Sequence, residues 1–81
     1  MESMLTEDRL LDARGLQCPM PVVLANKEIK QLQPGQLLKI LATDKGALTD
    51  FPAWAEDTGH EIIASGEESG ALYFFVRRGE E

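Results

Sequence analysis

The chain has 81 residues and a formal net charge of −6, from 14 acidic against 8 basic residues. Hydrophobic residues at 43% and charged residues at 27% fit one small globular domain and exclude a disordered chain. The acidic balance argues against nucleic acid as a direct partner, because such binding rests on Lys and Arg set against phosphates. No apolar run approaches the roughly 20 residues that span a bilayer.

The opening residues, MESMLTEDRLLD, are acidic and lack the basic and apolar regions of a signal peptide. A cytoplasmic location is expected. Residues 1–8 read as a loose polar tail, and 9–81 as a single domain. RLLDA, Arg9 to Ala13, is a short strand. RGLQ turns, with Gly15 free to take a positive φ. A helix is predicted from Pro19 to Gln31, ended by QPG. Proline suits a first helical turn, where its missing N–H has no helical partner anyway. Val22, Ala25, Ile29 and Leu32 form the predicted buried stripe. Met20, Val23 and Leu24 lie off it, either packed under loops or forming an exposed apolar collar.

QLLKILAT, Gln36 to Thr43, is the second strand. Leu38, Ile40 and Ala42 share one face, and Leu37, Lys39 and Leu41 the other. The stretch from Asp44 to Gly59 reads as a second helix, with Ala47, Leu48, Phe51, Trp54, Ala55 and Thr58 on one stripe. Either Asp44 caps an initial turn, or Asp50 caps a helix beginning at Phe51. Asp50, Ala53, Glu56 and Asp57 face outward. HEIIAS and ALYFFVRR, His60 to Ser65 and Ala71 to Arg78, form a hairpin through GEESG. The order β-α-β-α-β-β predicts an α/β two-layer sandwich, with both helices on one face of a mixed four-stranded sheet. Leu37, Leu41, Tyr73 and Phe75 add apolar surface to the other, partly open face.

The chain has one cysteine, Cys18, within RGLQCPMPVV. One cysteine makes no internal disulfide. Cys18 is read as the N-cap of the first helix or the residue beside it, at the positive end of the helix dipole; if it is the N-cap, Pro19 is N1, Pro21 is N3, and Met20 supplies the nearest free N–H. That placement predicts an accessible, acidic thiol. The competing reading is a buried, inert cysteine. A Cys-x-x-Cys redox centre is excluded, since Pro21 occupies the second position. His60, the one histidine, reads as structural rather than as a catalytic base. One Cys with one His builds no zinc site; no metal and no cofactor are expected. Asp44, Asp50, Glu56 and Asp57 read as caps and a solvated helix face. What remains is a lone thiol that trades covalent cargo with other proteins, with sulfane sulfur the natural cargo.

LDARGLQCPMPV, Leu11 to Val22, resembles the Leu-Asp-x-x-Gly-x-x-Cys-Pro-x-Pro signature of the TusA/SirA-like sulfur-carrier proteins. LQPGQLLKILATD and DFPAWAEDTGHE are similar to the family's second strand with its closing Asp and to its Asp-Ile-Pro helix ending in Gly-His. The resemblance covers about residues 10–78. It implies a two-layer β-α-β-α-β-β fold and transfer of sulfur as a persulfide on Cys18. Gly15, Pro19 and Pro21 match the motif. Met20 fills a slot that is Glu in the members best known for tRNA thiolation, which leaves tRNA thiolation, sulfur oxidation, cofactor maturation and selenium metabolism open as destinations. The implied partners are a cysteine desulfurase or rhodanese-like donor and a DsrE/TusD-type acceptor or thiolation enzyme, served by a monomeric relay carrier rather than a stand-alone enzyme. Arg14 is carried as a further site candidate, to steer partners or stabilise the persulfide anion. The alternative is a non-catalytic regulatory or interaction module that docks through the collar around Cys18.

Overall fold

The computed structural model describes residues 6–80. Its elements run β1 (Arg9–Ala13), α1 (Met20–Ile29), β2 (Leu37–Ala42), α2 (Ala47–Thr58), β3 (Glu61–Glu68) and β4 (Ala71–Arg77). The sheet order is β1-β2-β4-β3. β1 and β2 are parallel, and β4 is antiparallel to both β2 and β3. This is the expected mixed four-stranded sheet with two helices.

Alternation in β2 sets the layers. Leu38, Ile40 and Ala42 are fully buried and join Phe74 and Val76 of β4 beneath both helices. Ala25 and Ile29 of α1 and Ala47, Phe51, Trp54 and Ala55 of α2 close this core from above. Phe51 is at its centre, 4.9 Å between ring centroids from Phe74 and 5.7 Å edge-on from Trp54. On the opposite sheet face Lys39 Nζ lies over the Tyr73 and Phe75 rings, at 5.9 and 5.3 Å. Phe75 is buried, so this face is less open than its apolar residues suggested.

The helices depart from the predicted phase. α1 begins at Met20, with Pro19 as N-cap and Pro21 one residue inside the first turn. The first helical bond runs from Val23 N–H to Pro19 O, at 3.0 Å. Cys18 is therefore outside the helix and is not its cap. Pro21 is buried in place of Val22, which is half-buried. The helix stops at Ile29, before QPG. Gln31 and Leu32 N–H groups turn to the Glu28 and Ile29 carbonyls, and the Arg78 guanidinium donates to the Leu32 carbonyl.

α2 takes the longer of its two predicted forms, starting at Ala47 with Pro52 inside it. Pro52 stands in the second turn, where its missing N–H leaves the Leu48 carbonyl without a helical partner. Leu48, expected on the buried stripe, is exposed. Gly59 ends the helix in the left-handed region, φ 83°, as predicted.

The hairpin strands run further than expected, through Glu68. Ser69 and Gly70 both have positive φ, 54° and 81°, which suits a tight two-residue turn. A bulge between Ile62 and Ala64 re-phases β3, so that Ser65 pairs with Phe74. Gly66 lies under Tyr73; a Cβ there would come within 2.8 Å of Tyr73 Oη. Residues 1–5 of the expected tail lie outside the described residues. Asp8 is tied to the sheet, exchanging hydrogen bonds of 2.9 and 2.8 Å with Leu37.

Candidate functional site

Parallel pairing of β1 with β2 brings two loops together. The register ends at Ala13 opposite Ala42, so the chain leaving β1 runs beside the chain leaving β2. Gly15, at φ 83°, turns it as expected, and its N–H donates to Thr43 Oγ1 at 2.8 Å. Three residues on, the Cys18 N–H donates to Asp44 Oδ2 at 2.7 Å. Two neighbouring side chains of one loop thus hold two amides of the other. The Cys18–Pro19 peptide is cis.

The Cys18 thiol is half-buried. Gly46, the N-cap of α2, packs against it so closely that a Cβ there would lie 3.3 Å from Sγ. The Asp44 and Asp50 carboxylates both hydrogen-bond the thiol. Burial first, then the hydrogen bond to Asp50, then the bond and charge of Asp44, push the Cys18 pKa up to about 12. Each of these favours the neutral thiol. Asp44 is held below the usual carboxylate range, chiefly by the Cys18 and Gly46 amides that donate to it.

This corrects the expectation of an acidic thiol. The expected helix donors are absent: Pro19 and Pro21 have no N–H, and the Met20 N–H is taken by Gln17 O at 2.9 Å. Carboxylates from α2 and its preceding loop fill the space instead. Asp44 and Asp50, read from sequence as a cap and part of a solvated face, are members of the site. The signal that identifies Asp44 is its position just past β2, at the strand end that parallel pairing sets beside Cys18.

The remaining candidates divide. Of the two placements weighed for Met20, Val23 and Leu24, Met20 and Val23 take the exposed one, at 46% and 48%; Leu24 is half-buried, and Leu16 joins the exposed set. Arg14 is paired with Asp12. Its backbone N–H and its guanidinium both bind Asp12, the guanidinium through two 2.8 Å bonds. His60 stands past the C-terminal end of α2, where Nδ1 accepts the Gly79 N–H at 2.9 Å and its ring packs on Trp54.

Beside the thiol, an open groove of about 590 Å³ runs between α1 and α2. Val22 and Val23 line one wall, Ala53 and Trp54 the other, and Pro19 and Asp50 stand at the thiol end. The Trp54 indole N–H donates to Asn26 Oδ1 across it, at 3.1 Å.

A two-layer fold that presents one half-buried cysteine at a loop between strand and helix defines the class. A SirA-like protein from Desulfitobacterium hafniense shares this fold, with a TM-score of 0.76, 24% identity, and 89% of this chain and 99% of that one covered. The model of the family described as sulfurtransferase TusA matches residues 9–78. YrkI of Bacillus subtilis is 41% identical over 75 residues, covering 93% of this chain and all of that one. The sulfur carrier protein TusA of Allochromatium vinosum is 42% identical over 71 residues, covering 88% and 93% respectively. The chain belongs to the TusA family.

Proposed function

We propose that the protein is a sulfur carrier that accepts sulfane sulfur on Cys18 as a persulfide and passes it to an acceptor protein. The observation that carries this reading is the placement of the sole cysteine, half-buried beside an open groove, in a chain matched over 9–78 by the TusA family. A single thiol without a disulfide partner suits a reducing cytoplasm. In loading, the Cys18 sulfur attacks the terminal sulfur of a donor persulfide, the donor's S–S bond breaks, and the donor thiolate takes up the proton that Cys18 gives up. Unloading is the same exchange with an acceptor thiolate as the attacker. Neither step consumes an oxidant or a reductant. A cysteine desulfurase or rhodanese-like protein is the proposed donor, and a DsrE/TusD-type protein or thiolation enzyme the proposed acceptor.

The carboxylates give this chemistry its character. A thiol held protonated reacts slowly with stray electrophiles, and a thiol of high pKa is a poor leaving group. The loaded form therefore keeps its sulfur until the site changes. Incubation with a cysteine desulfurase and cysteine, followed by mass spectrometry of the intact protein, is expected to show one added sulfur atom. Cys18→Ser is expected to show none, with an unchanged melting temperature. No adduct on the wild-type chain with either class of donor would overturn the reading.

A further inference from the structure

We propose that the α1–α2 groove docks a partner protein that lays apolar side chains between the helices and sets a lysine or arginine against Asp50, and that this contact unlocks the Cys18 thiol. The inference rests on the carrier reading and names the chemistry of the partner.

Three observations carry it. First, the groove and the thiol share a residue: Asp50 lines the groove, its backbone N–H donates to the carbonyl of Gly46 at 2.9 Å, Gly46 is packed directly on Cys18 Sγ, and the Asp50 carboxylate favours the neutral thiol. Pro19, bonded directly to Cys18, lines the same end. Second, the groove wall is apolar through Val22, Val23, Ala53 and Trp54, and the exposed side chain of Met20 adds apolar surface beside Cys18. Third, the charge is one-sided. Asp50 and Asp57 are the charged lining residues, and no Lys or Arg joins them. The ion pairs among the described residues tie up Arg9, Arg14 and Arg77 with Glu28, Asp12 and Glu61, and none of them involves Asp50 or Asp57. A segment that fits this groove is apolar and basic.

The coupling follows from electrostatics. The charged groups set against the thiol are Asp44 and Asp50; on the α1 side, Pro19 and Met20 carry no charge. A cation brought to Asp50 in a groove closed off from water offsets one of the two negative charges that oppose a thiolate. The thiol proton then leaves to solvent, and Cys18 becomes both an attacking thiolate and a better leaving group. A neutral or acidic segment in the same place leaves the thiol as it is.

The test uses two synthetic peptides on the intact chain: acetyl-Leu-Arg-Leu-Leu-Arg-amide, and the same peptide with Glu in place of both Arg. Docking is read from the NMR resonance of the Trp54 indole N–H, and the thiol from its alkylation rate with iodoacetamide at pH 8. A tenfold rise in thiolate comes with a roughly threefold loss of nucleophilicity per thiolate, so about a threefold faster rate is expected with saturating arginine peptide. The glutamate peptide is expected to move neither signal. Asp50→Asn is expected to alkylate about threefold faster on its own and to gain nothing further from the arginine peptide. Docking without a rate change, an equal response to both peptides, no response to either, or an Asp50→Asn rate equal to wild type each overturns the proposal. Sulfur loading by a desulfurase is measured on the same samples. A chain that loads but shows no coupling remains a carrier and loses this inference.

Discussion

The two ends of α1 are finished in opposite ways. At the C-terminal end the chain supplies its own cation. Arg78, just past β4, reaches back so that its guanidinium binds the Leu32 carbonyl and, at 3.4 Å, that of Lys30. A positive group there suits the dipole and satisfies carbonyls that the helix leaves unpaired. At the N-terminal end Pro19 caps without a side-chain hydrogen bond, and the first turn has no acidic residue of its own. The negative charge comes from elsewhere, through Asp44 and Asp50, and it serves the cysteine rather than the helix. One end is closed by the fold; the other is left charged, apolar and accessible. The difference separates residues that hold the structure from residues that set the reactivity of the thiol.

Variants at each end sharpen this contrast. The largest effect is expected from Asp44→Asn, which keeps an oxygen to accept the Cys18 amide but removes a charge beside the thiol. Alkylation of Cys18 at pH 8 should rise about threefold, with little change in melting temperature. A wild-type rate would mean that burial and Asp50 hold the thiol neutral without help from the Asp44 charge. Arg78→Met, at the closed end, should cost about 1–2 kcal/mol through its lost hydrogen bonds, measured by urea unfolding, with Cys18 alkylation unchanged. A change in alkylation would join two ends that the structure keeps apart.

A last effect concerns pH. The folded thiol has a pKa near 12, above the value of about 8.5 for a free thiol. A raised pKa stabilises the fold while the group is protonated in both states. That contribution is complete below the unfolded pKa and is lost as pH rises toward the folded one. The melting temperature should therefore fall between pH 8.5 and 10.5 less steeply in Cys18→Ser than in wild type. Equal slopes would show that the folded and unfolded thiols titrate alike.

Much of this was legible in the sequence, and the reasons differ by region. β2 could be read residue by residue because Leu38, Ile40 and Ala42 alternate against Lys39, and alternation is a local property. Gly15 and Gly59 marked turns that need positive φ, and both adopt it. The helical stripes were less exact. Moving the start of α1 from Pro19 to Met20 trades Val22 for Pro21 at the core, and packing decides that choice. The chemistry of the thiol also lies outside the local pattern. Cys18 and its prolines are contiguous and point to a helix terminus. Asp44 and Asp50 reach the thiol only through the pairing of β1 with β2 and the packing of α2. The helix dipole belongs to one contiguous segment; the carboxylates belong to the tertiary fold.

The loop that carries Cys18 is suspended from its neighbour. Thr43 holds the Gly15 amide, and Asp44 holds the Cys18 amide. The smallest portable form of this thiol is therefore a pair of segments. Grafting residues 14–21 into another protein would transfer the sequence and lose the shape, unless the scaffold also offered a parallel strand ending in a threonine and an aspartate at the same height.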